Sequence, residues 1–260
     1  MVTVNDILAY METVAPRYMQ YDWDNNGLLC GRRAKEVKKI LIALDPFEEV
    51  CRESKNVGAD LLLTHHPLIF SAPKAINDES DMGRAIMLLI QNDIAAVNAH
   101  TNLDCAPGGV NDTLAAVLGL QDIEIVDPKG DAVPYGLLRI GNVENQSLDT
   151  FLTHVKQALG CQGLRYVDGG KRVCTVAVGG GSCGSDLMDA VRAGCDTFVT
   201  ADIKYNQFHD AKALGINLID AGHFNTENPV MAVVAAKLRA EFPEIEVVES
   251  KIHKDCVNFF

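Results

Sequence analysis

The chain has 260 residues, 48% of them apolar and 22% charged, a composition that excludes disordered and collagen-like classes. Its net charge of −12 argues against non-specific binding to nucleic acids or anionic membranes, because both carry negative charge. No stretch approaches the roughly 18 uninterrupted apolar residues of a membrane span. The eight cysteines form no C-x-x-C pair, so we interpret them as reduced thiols of a cytoplasmic protein.

The first half of the chain alternates between helix-like and strand-like segments. The expected strands are short apolar runs: 40–44, 61–64 and 94–99. The expected helices carry apolar residues at helical spacing or begin with cap signals: 4–14, the segment after Asp45-Pro46, and 82–91. Thr3 is the expected cap of the first helix, and Asp45 that of the second. This β-α-β-α-β order predicts a parallel sheet with helices on its faces.

The second half repeats this plan, with a helix after Ser147 and strands at 173–178, 197–200 and 216–220. The two halves align at two constant differences in residue number. Residues 58–60 and Thr64 match 194–196 and Thr200 at an offset of 136. His100 and Asp104 match His223 and Glu227 at an offset of 123. We therefore infer a duplicated unit. The predicted fold is α/β, with two similar β-α-β-α-β halves packed together and the second inserted in the first. The predicted domains are 1–127 with 220–260, and 128–219.

Three segments with metal-ligand chemistry directly follow predicted strands. They are 64–67 (THHP), 100–104 (HTNLD) and 220–227 (DAGHFNTE). Taken singly, a His-His pair is often a turn feature and each His-x-x-x-acid match is a common chance event. Ligands in open α/β sheets bind at the carboxyl ends of the strands, so the three segments are expected to converge. Four histidines and two carboxylates exceed the needs of one catalytic ion, which favours two ions.

Five segments together resemble one family. They are 24–28 (DNNGL), 64–68 (THHPL), 100–104 (HTNLD), 200–205 (TADIKY) and 220–227 (DAGHFNTE). The chain resembles the Nif-three-like family, also called GTP cyclohydrolase I type 2 homologues or dinuclear metal-centre hexameric proteins. It departs from the common pattern at Ala201, where the family usually has Gly. The resemblance implies a homohexamer and metal ligands at the following positions: His65, His66, Asp104, His223 and Glu227.

The resemblance also implies a hydrolase that opens the purine ring of GTP or a related nucleotide. Two divalent ions would activate a water and polarise the atom under attack, and zinc, manganese, iron, cobalt and nickel all suit nitrogen and oxygen ligands. Glu227 is the expected bridge between the ions. His100, beside the ligands, is the candidate catalytic proton shuttle. Lys204 is a candidate substrate-phosphate contact, although a solvated lysine fits the sequence equally well.

Two other functions fit parts of the sequence. Residues 179–184 (GGGSCG) match the G-x-G-x-x-G pattern of dinucleotide-binding oxidoreductases, but the aligned segment 45–47 (DPF) has no glycine, which favours a tight turn. A non-catalytic metal-binding ring, serving as a partner-binding or metal-handling scaffold, would keep the same ligands.

For side chains outside these motifs, the sequence indicates no specific chemical role. His209 is interpreted as structural, and His154 and His253 as surface residues. Tyr21 and Trp23 are expected either to line the ligand crevice or to close a small N-terminal core.

Overall fold

The computed structural model describes residues 1–130 and 132–260. These residues form two compact units, 1–103 with 231–254 and 104–230 with 255–260. The sequence-based boundaries give the inserted unit a narrower range, 128–219, and they stay a prediction. Within the described residues, no helix combines the length and the apolar character that a membrane span requires.

Strands and helices alternate along most of the described chain. The strands are β1 (Gly27–Cys30), β2 (Lys39–Ala43), β3 (Leu61–Thr64), β4 (Ala95–Asn98), β5 (Gln121–Ile125), β6 (Arg139–Gln146), β7 (Arg165–Val167), β8 (Val173–Val178), β9 (Thr197–Thr200), β10 (Asn217–Asp220) and β11 (Glu246–Glu249). The α-helices are α1 (Val4–Val14), α2 (Glu48–Asn56), α3 (Asp81–Gln91), α4 (Thr101–Cys105), α5 (Val110–Val117), α6 (Leu148–Ala158), α7 (Leu187–Arg192), α8 (Tyr205–Leu214), α9 (His223–Glu227) and α10 (Pro229–Glu241). Short 3-10 helices cover Arg17–Met19 and Gly184–Asp186.

The sheet of the first unit has the strand order β1-β4-β3-β2-β11. Its strands β4, β3, β2 and β11 are parallel, and β1 pairs antiparallel with β4 at the edge. Strands β3 and β4 are buried along their whole length, as is usual where both faces of a parallel sheet are covered. The predicted cap of α1 is confirmed, because Thr3 and Asp6 form a reciprocal capping box.

The predicted cap of α2 is wrong. The helix begins at Glu48 with Phe47 at the cap position, and no side chain caps it. Asp45 instead directs its two carboxylate oxygens to the rings of His66 and His253. The local sequence does not distinguish an aspartate that caps a helix from one that accepts hydrogen bonds from distant residues. The partners of Asp45 are therefore known only from the folded chain.

The sheet of the second unit has the order β5-β6-β8-β9-β10-β7. Its central strands β8, β9 and β10 are parallel, and the flanking pairs are antiparallel. Helix α6 packs Phe151 and Val155 into a core with Val176 and Ile219. Ser147 caps α6 by accepting a hydrogen bond from the Thr150 N–H, as predicted. Two units built of sheets and helices confirm the predicted α/β class.

The duplication extends to the hydrogen bonds of each unit. Ile40 pairs with Leu61 in the first unit, and Val176 pairs with Thr197 in the second, 136 positions later. The carboxylate of Asp60 accepts hydrogen bonds from two consecutive N–H groups, at 38 and 39. The carboxylate of Asp196 does the same with the N–H groups at 174 and 175. Both aspartates thus fix the start of a neighbouring parallel strand.

The second offset is smaller because the connection between the last two parallel strands is shorter in the second copy. Strand β4 begins 31 residues after β3 ends, whereas β10 begins 17 residues after β9 ends. This shortening by 14 is offset by one additional residue after the last strand, which gives 123. In the first unit, His100 is the second residue after the end of β4 at Asn98. In the second unit, His223 is the third residue after the end of β10 at Asp220. The additional residue is Gly222, which has φ +85°, a conformation that favours glycine.

The glycine-rich segment 179–184 is a tight turn. The Gly180 N–H donates to Asn111 Oδ1 at 2.6 Å, and the Gly181 N–H donates to Thr226 Oγ1 at 3.0 Å. A phosphate-binding loop would direct such N–H groups to its ligand, whereas these are engaged by side chains. Gly181 has φ +63°, and a Cβ atom at this position would overlap the carboxylate of Glu227. The turn therefore needs glycine for two independent reasons.

Replacing Gly181 by Ala is expected to lower the free energy of unfolding by about 2 kcal/mol or more, because left-handed strain alone costs about 1–3 kcal/mol and the overlap adds to it. Gly194→Ala is a matched control, since Gly194 has φ +83° but open space around the added Cβ. It should cost about 1 kcal/mol. Urea denaturation followed by circular dichroism measures both. Equal losses would show that the contact with Glu227 does not constrain the turn.

Candidate metal centre

Three histidines of the first unit lie together at the carboxyl ends of two parallel strands. His65 and His66 follow β3, and His100 follows β4 after one intervening residue. One ring nitrogen of each lies within 4.8 Å of the others, and the ring centroids are 4.9 to 5.4 Å apart. His65 is fully buried, and the other two are partly exposed. These three predicted site residues are therefore brought together within one unit.

The Nδ1 atom of each ring faces an oxygen acceptor. The distances are 2.9 Å from His65 to the carbonyl of Ala99, 2.7 Å from His66 to Asp45, and 2.8 Å from His100 to Asp24. A carbonyl or a carboxylate can only accept, so each Nδ1 carries the proton and each Nε2 keeps its lone pair. Proteins orient metal-binding imidazoles in this way.

Asp24 and Asp45 are held in their charged forms. Burial opposes ionisation of Asp24, but hydrogen bonds from His100 and Thr101 outweigh it, and its pKa lies well below its usual range. The same balance holds for Asp45, where His253 and His66 keep the pKa low against burial. Two negative charges thus lie directly behind the histidine cluster, where they favour a bound cation.

His253 is not the surface residue that the sequence suggested. Its side chain is 5% exposed, and Nε2 lies 2.9 Å from Asp45 Oδ2. Its backbone N–H donates to Ser250 Oγ, and its ring meets that of Phe47 edge-on. Asp45 therefore joins His66 to a residue near the other end of the described chain, a pairing for which the local sequence has no signal.

The second unit holds a histidine and two carboxylates of the predicted set. The short helix α9 places His223 and Glu227 four residues apart on one face, with Nε2 of the histidine 3.0 Å from Oε2 of the glutamate. Carboxylate oxygens of Asp104 and Glu227 lie within 4.8 Å of each other. Both acidic side chains are buried, at 6% and 4% exposure. One nitrogen and two oxygen ligands are thus available in this unit.

Asp202 orients His223 as Asp24 orients His100. Its Oδ2 lies 2.7 Å from Nδ1 of His223, and its backbone has φ +52°. A left-handed conformation is costly for a residue other than glycine and is often found at functional sites. The sequence identified Asp24 and Asp202 only as motif members, because their contacts with the histidines span many residues.

Lys204 is exposed at the start of α8, where its backbone N–H donates to Gln207. Its contact with a substrate stays a prediction. His209 is also exposed, and its ring meets that of Tyr205 edge-on at 4.7 Å.

The donor set of each unit fits a divalent transition metal. The first unit offers three imidazoles and the second offers one imidazole and two carboxylates, and neither set contains a thiolate. Such nitrogen and oxygen ligands suit zinc, manganese, iron, cobalt and nickel. The assignment of individual residues to particular ions stays a prediction.

Comparisons with known proteins agree with the resemblance inferred from the motifs. A profile of the family described as Duf34/NIF3 (NGG1p interacting factor 3) matches residues 2–256. A Clostridium perfringens protein named GTP cyclohydrolase 1 type 2 homolog is 38% identical over 259 residues, which covers 98% of this chain and 99% of the relative. A relative of the same name from Clostridium acetobutylicum is 33% identical, with 98% and 92% covered.

A solved structure, a Bacillus cereus protein related to NIF3, matches the fold with a TM-score of 0.91. It is 28% identical to this chain, and the match covers 100% of this chain and 99% of that one. The family profile spans nearly the whole sequence, and the alignments with the two Clostridium relatives each cover 98% of this chain. The chain belongs to the Duf34/NIF3 family.

Proposed function

We propose that this protein is a dinuclear-metal-dependent hydrolase that acts on the purine ring of GTP or of a related nucleotide. The observation that carries the metal dependence is the orientation of four histidines, each with its Nδ1 on an oxygen acceptor. The substrate class comes from the relatives named GTP cyclohydrolase 1 type 2 homolog.

The proposed metal ligands are the five residues that the family resemblance implies: His65, His66, Asp104, His223 and Glu227. Two bound divalent ions would supply Lewis acidity for the attack of water. Glu227 is the proposed bridge, because a carboxylate has two oxygens and can serve two ions, while an imidazole nitrogen serves one. His100 would move a proton at Nε2, with Asp24 holding the ring. Lys204 would contact a substrate phosphate as a point charge.

The assembly and the location are part of the same proposal. We propose a homohexamer, which rests on the family resemblance. We propose the cytoplasm, because all eight cysteines are free thiols and a reducing compartment preserves such thiols.

A non-catalytic role has one specific observation in its favour. The family description, NGG1p interacting factor 3, names an interaction and no reaction. A metal-binding ring that serves as a partner-binding or metal-handling scaffold would use the same ligands without turning over a nucleotide. Assays of formate release from a nucleotide panel, with each metal in turn, separate the two functions. Metal binding without turnover of any nucleotide would favour the scaffold.

The purified protein is expected to bind about two divalent ions per chain, because the proposed ligands exceed the needs of one ion. Mass spectrometry of metal content, after reconstitution with zinc, manganese, iron, cobalt or nickel, gives the stoichiometry. No bound metal under all five conditions would overturn the proposed function.

Substituting the proposed bridge should weaken the binding of both ions together. Glu227→Gln keeps the shape of the side chain but removes the negative charge that offsets two cations. His65→Ala should mainly empty one position and leave the other partly filled. Metal content of the two variants, measured side by side, tests the difference. Unchanged stoichiometry in Glu227→Gln would show that Glu227 is not the bridge.

A proton shuttle can be separated from a ligand at His100. His100→Ala should keep near-normal metal content and reduce turnover by about a hundredfold or more, because general acid–base catalysis contributes at least that factor. The matched comparison is His65→Ala, a proposed ligand from the same cluster. Equal metal loss in the two variants would make His100 a ligand.

A further inference from the structure

Three aromatic rings form a surface beside His100 in the first unit, which we call the aromatic shelf. It consists of Tyr21, Trp23 and Phe70. The Trp23 and Phe70 rings lie 5.8 Å apart, and both meet the ring of His100 edge-on, at 6.1 and 6.3 Å. Tyr21 stacks on Trp23 at 5.7 Å and nearly parallel. Trp23 and Phe70 are 58% and 56% exposed.

The shelf is held by hydrogen bonds on the loop that carries it. The Tyr21 N–H donates to Thr101 Oγ1, and the Thr101 N–H donates to Asp24. Asn25 Nδ2 donates to the carbonyl of Ile69, next to Phe70, at 2.6 Å. The rings of Trp23 and Phe70 are therefore presented to solvent by a fixed framework.

Large apolar rings that remain exposed on a fixed framework indicate a binding surface, because they add little to the core and are unfavourable in water. The flat faces of Trp and Phe suit a planar ring, which stacks on them with few directional requirements. Asp22, the residue before Trp23, has an exposed side chain, and its negative charge disfavours a phosphate nearby. The chemistry thus points to the uncharged, planar part of a ligand.

We propose that the aromatic shelf binds the nucleobase of the substrate by stacking on Trp23 and Phe70, next to His100. The choice of a nucleobase rests on the proposed function, whereas the preference for a planar ring rests on the shelf itself. Stacking accepts every base, so a fused purine should bind more tightly than a pyrimidine through its larger face.

The intrinsic fluorescence of the protein provides a direct test, because Trp23 is the single tryptophan of the chain. Metal-loaded and metal-free protein are titrated with guanosine, GTP and inorganic tripolyphosphate. Guanosine and GTP are expected to change the Trp23 emission saturably, and tripolyphosphate should leave it unchanged. An equal change with tripolyphosphate would show that phosphate causes the signal, and would overturn the proposal.

Variants test the same contact by equilibrium dialysis with guanosine. Trp23→Ala should weaken binding by about 5- to 150-fold, consistent with the loss of about 1–3 kcal/mol of stacking per base, and Trp23→Phe should restore most of the affinity. Tyr166→Ala is the matched control, since Tyr166 is a similarly exposed aromatic residue, at 49%, on β7 of the other unit. Metal content is measured for every variant.

The outcomes separate this proposal from the proposed hydrolase. Normal metal content with no fluorescence response, and unaltered guanosine affinity in Trp23→Ala, would overturn the shelf and leave the hydrolase standing. Saturable guanosine binding that depends on Trp23, in a protein that takes up no metal, would support the shelf and overturn the hydrolase.

Discussion

The hydrogen bond that Nδ1 donates, in each of the four histidines at the candidate site, is the interaction on which the site depends. An imidazole has two nitrogens, and the one that donates a proton determines which one can bind a metal. In all four histidines the partner of Nδ1 is an oxygen: a backbone carbonyl for His65 and a carboxylate for the other three. Because these acceptors cannot donate, the folded chain sets the tautomer of the three histidines of the first unit before any ion binds. His223 differs, because its Nε2 also lies 3.0 Å from a carboxylate oxygen of Glu227.

The duplication explains how two copies of one unit came to supply different groups. The position of His66 in the first copy corresponds to Asp202 in the second, at the same offset of 136 that relates β3 to β9. Nδ1 of His66 donates a hydrogen bond to the carboxylate of Asp45. The carboxylate of Asp202 is instead the acceptor for Nδ1 of His223. A single substitution after a parallel strand thus converts a candidate ligand into a residue that orients one.

The sequence predicted what local signals encode. The β-α-β-α-β order, the caps at Thr3 and Ser147 and the tight turn at 179–184 follow from periodicity, cap chemistry and glycine, and the structure has them. The acceptors behind the rings were not predicted as partners, because Asp24 lies 76 residues from His100 and Asp45 lies 208 residues from His253. Such pairings are set by strand order and register, so a single sequence gives no signal for them. Asp45 even resembled a helix cap.

Charge connects the turn at Gly181 to the chemistry of the second unit. Asp104 and Glu227 are buried with oxygens within 4.8 Å of each other, and two such carboxylates repel each other strongly when water is excluded. Gly181, which has no Cβ, leaves room for the Glu227 carboxylate at this position. Under the proposed function, a divalent cation bound beside the two carboxylates would offset this repulsion, so their close approach favours a bound ion.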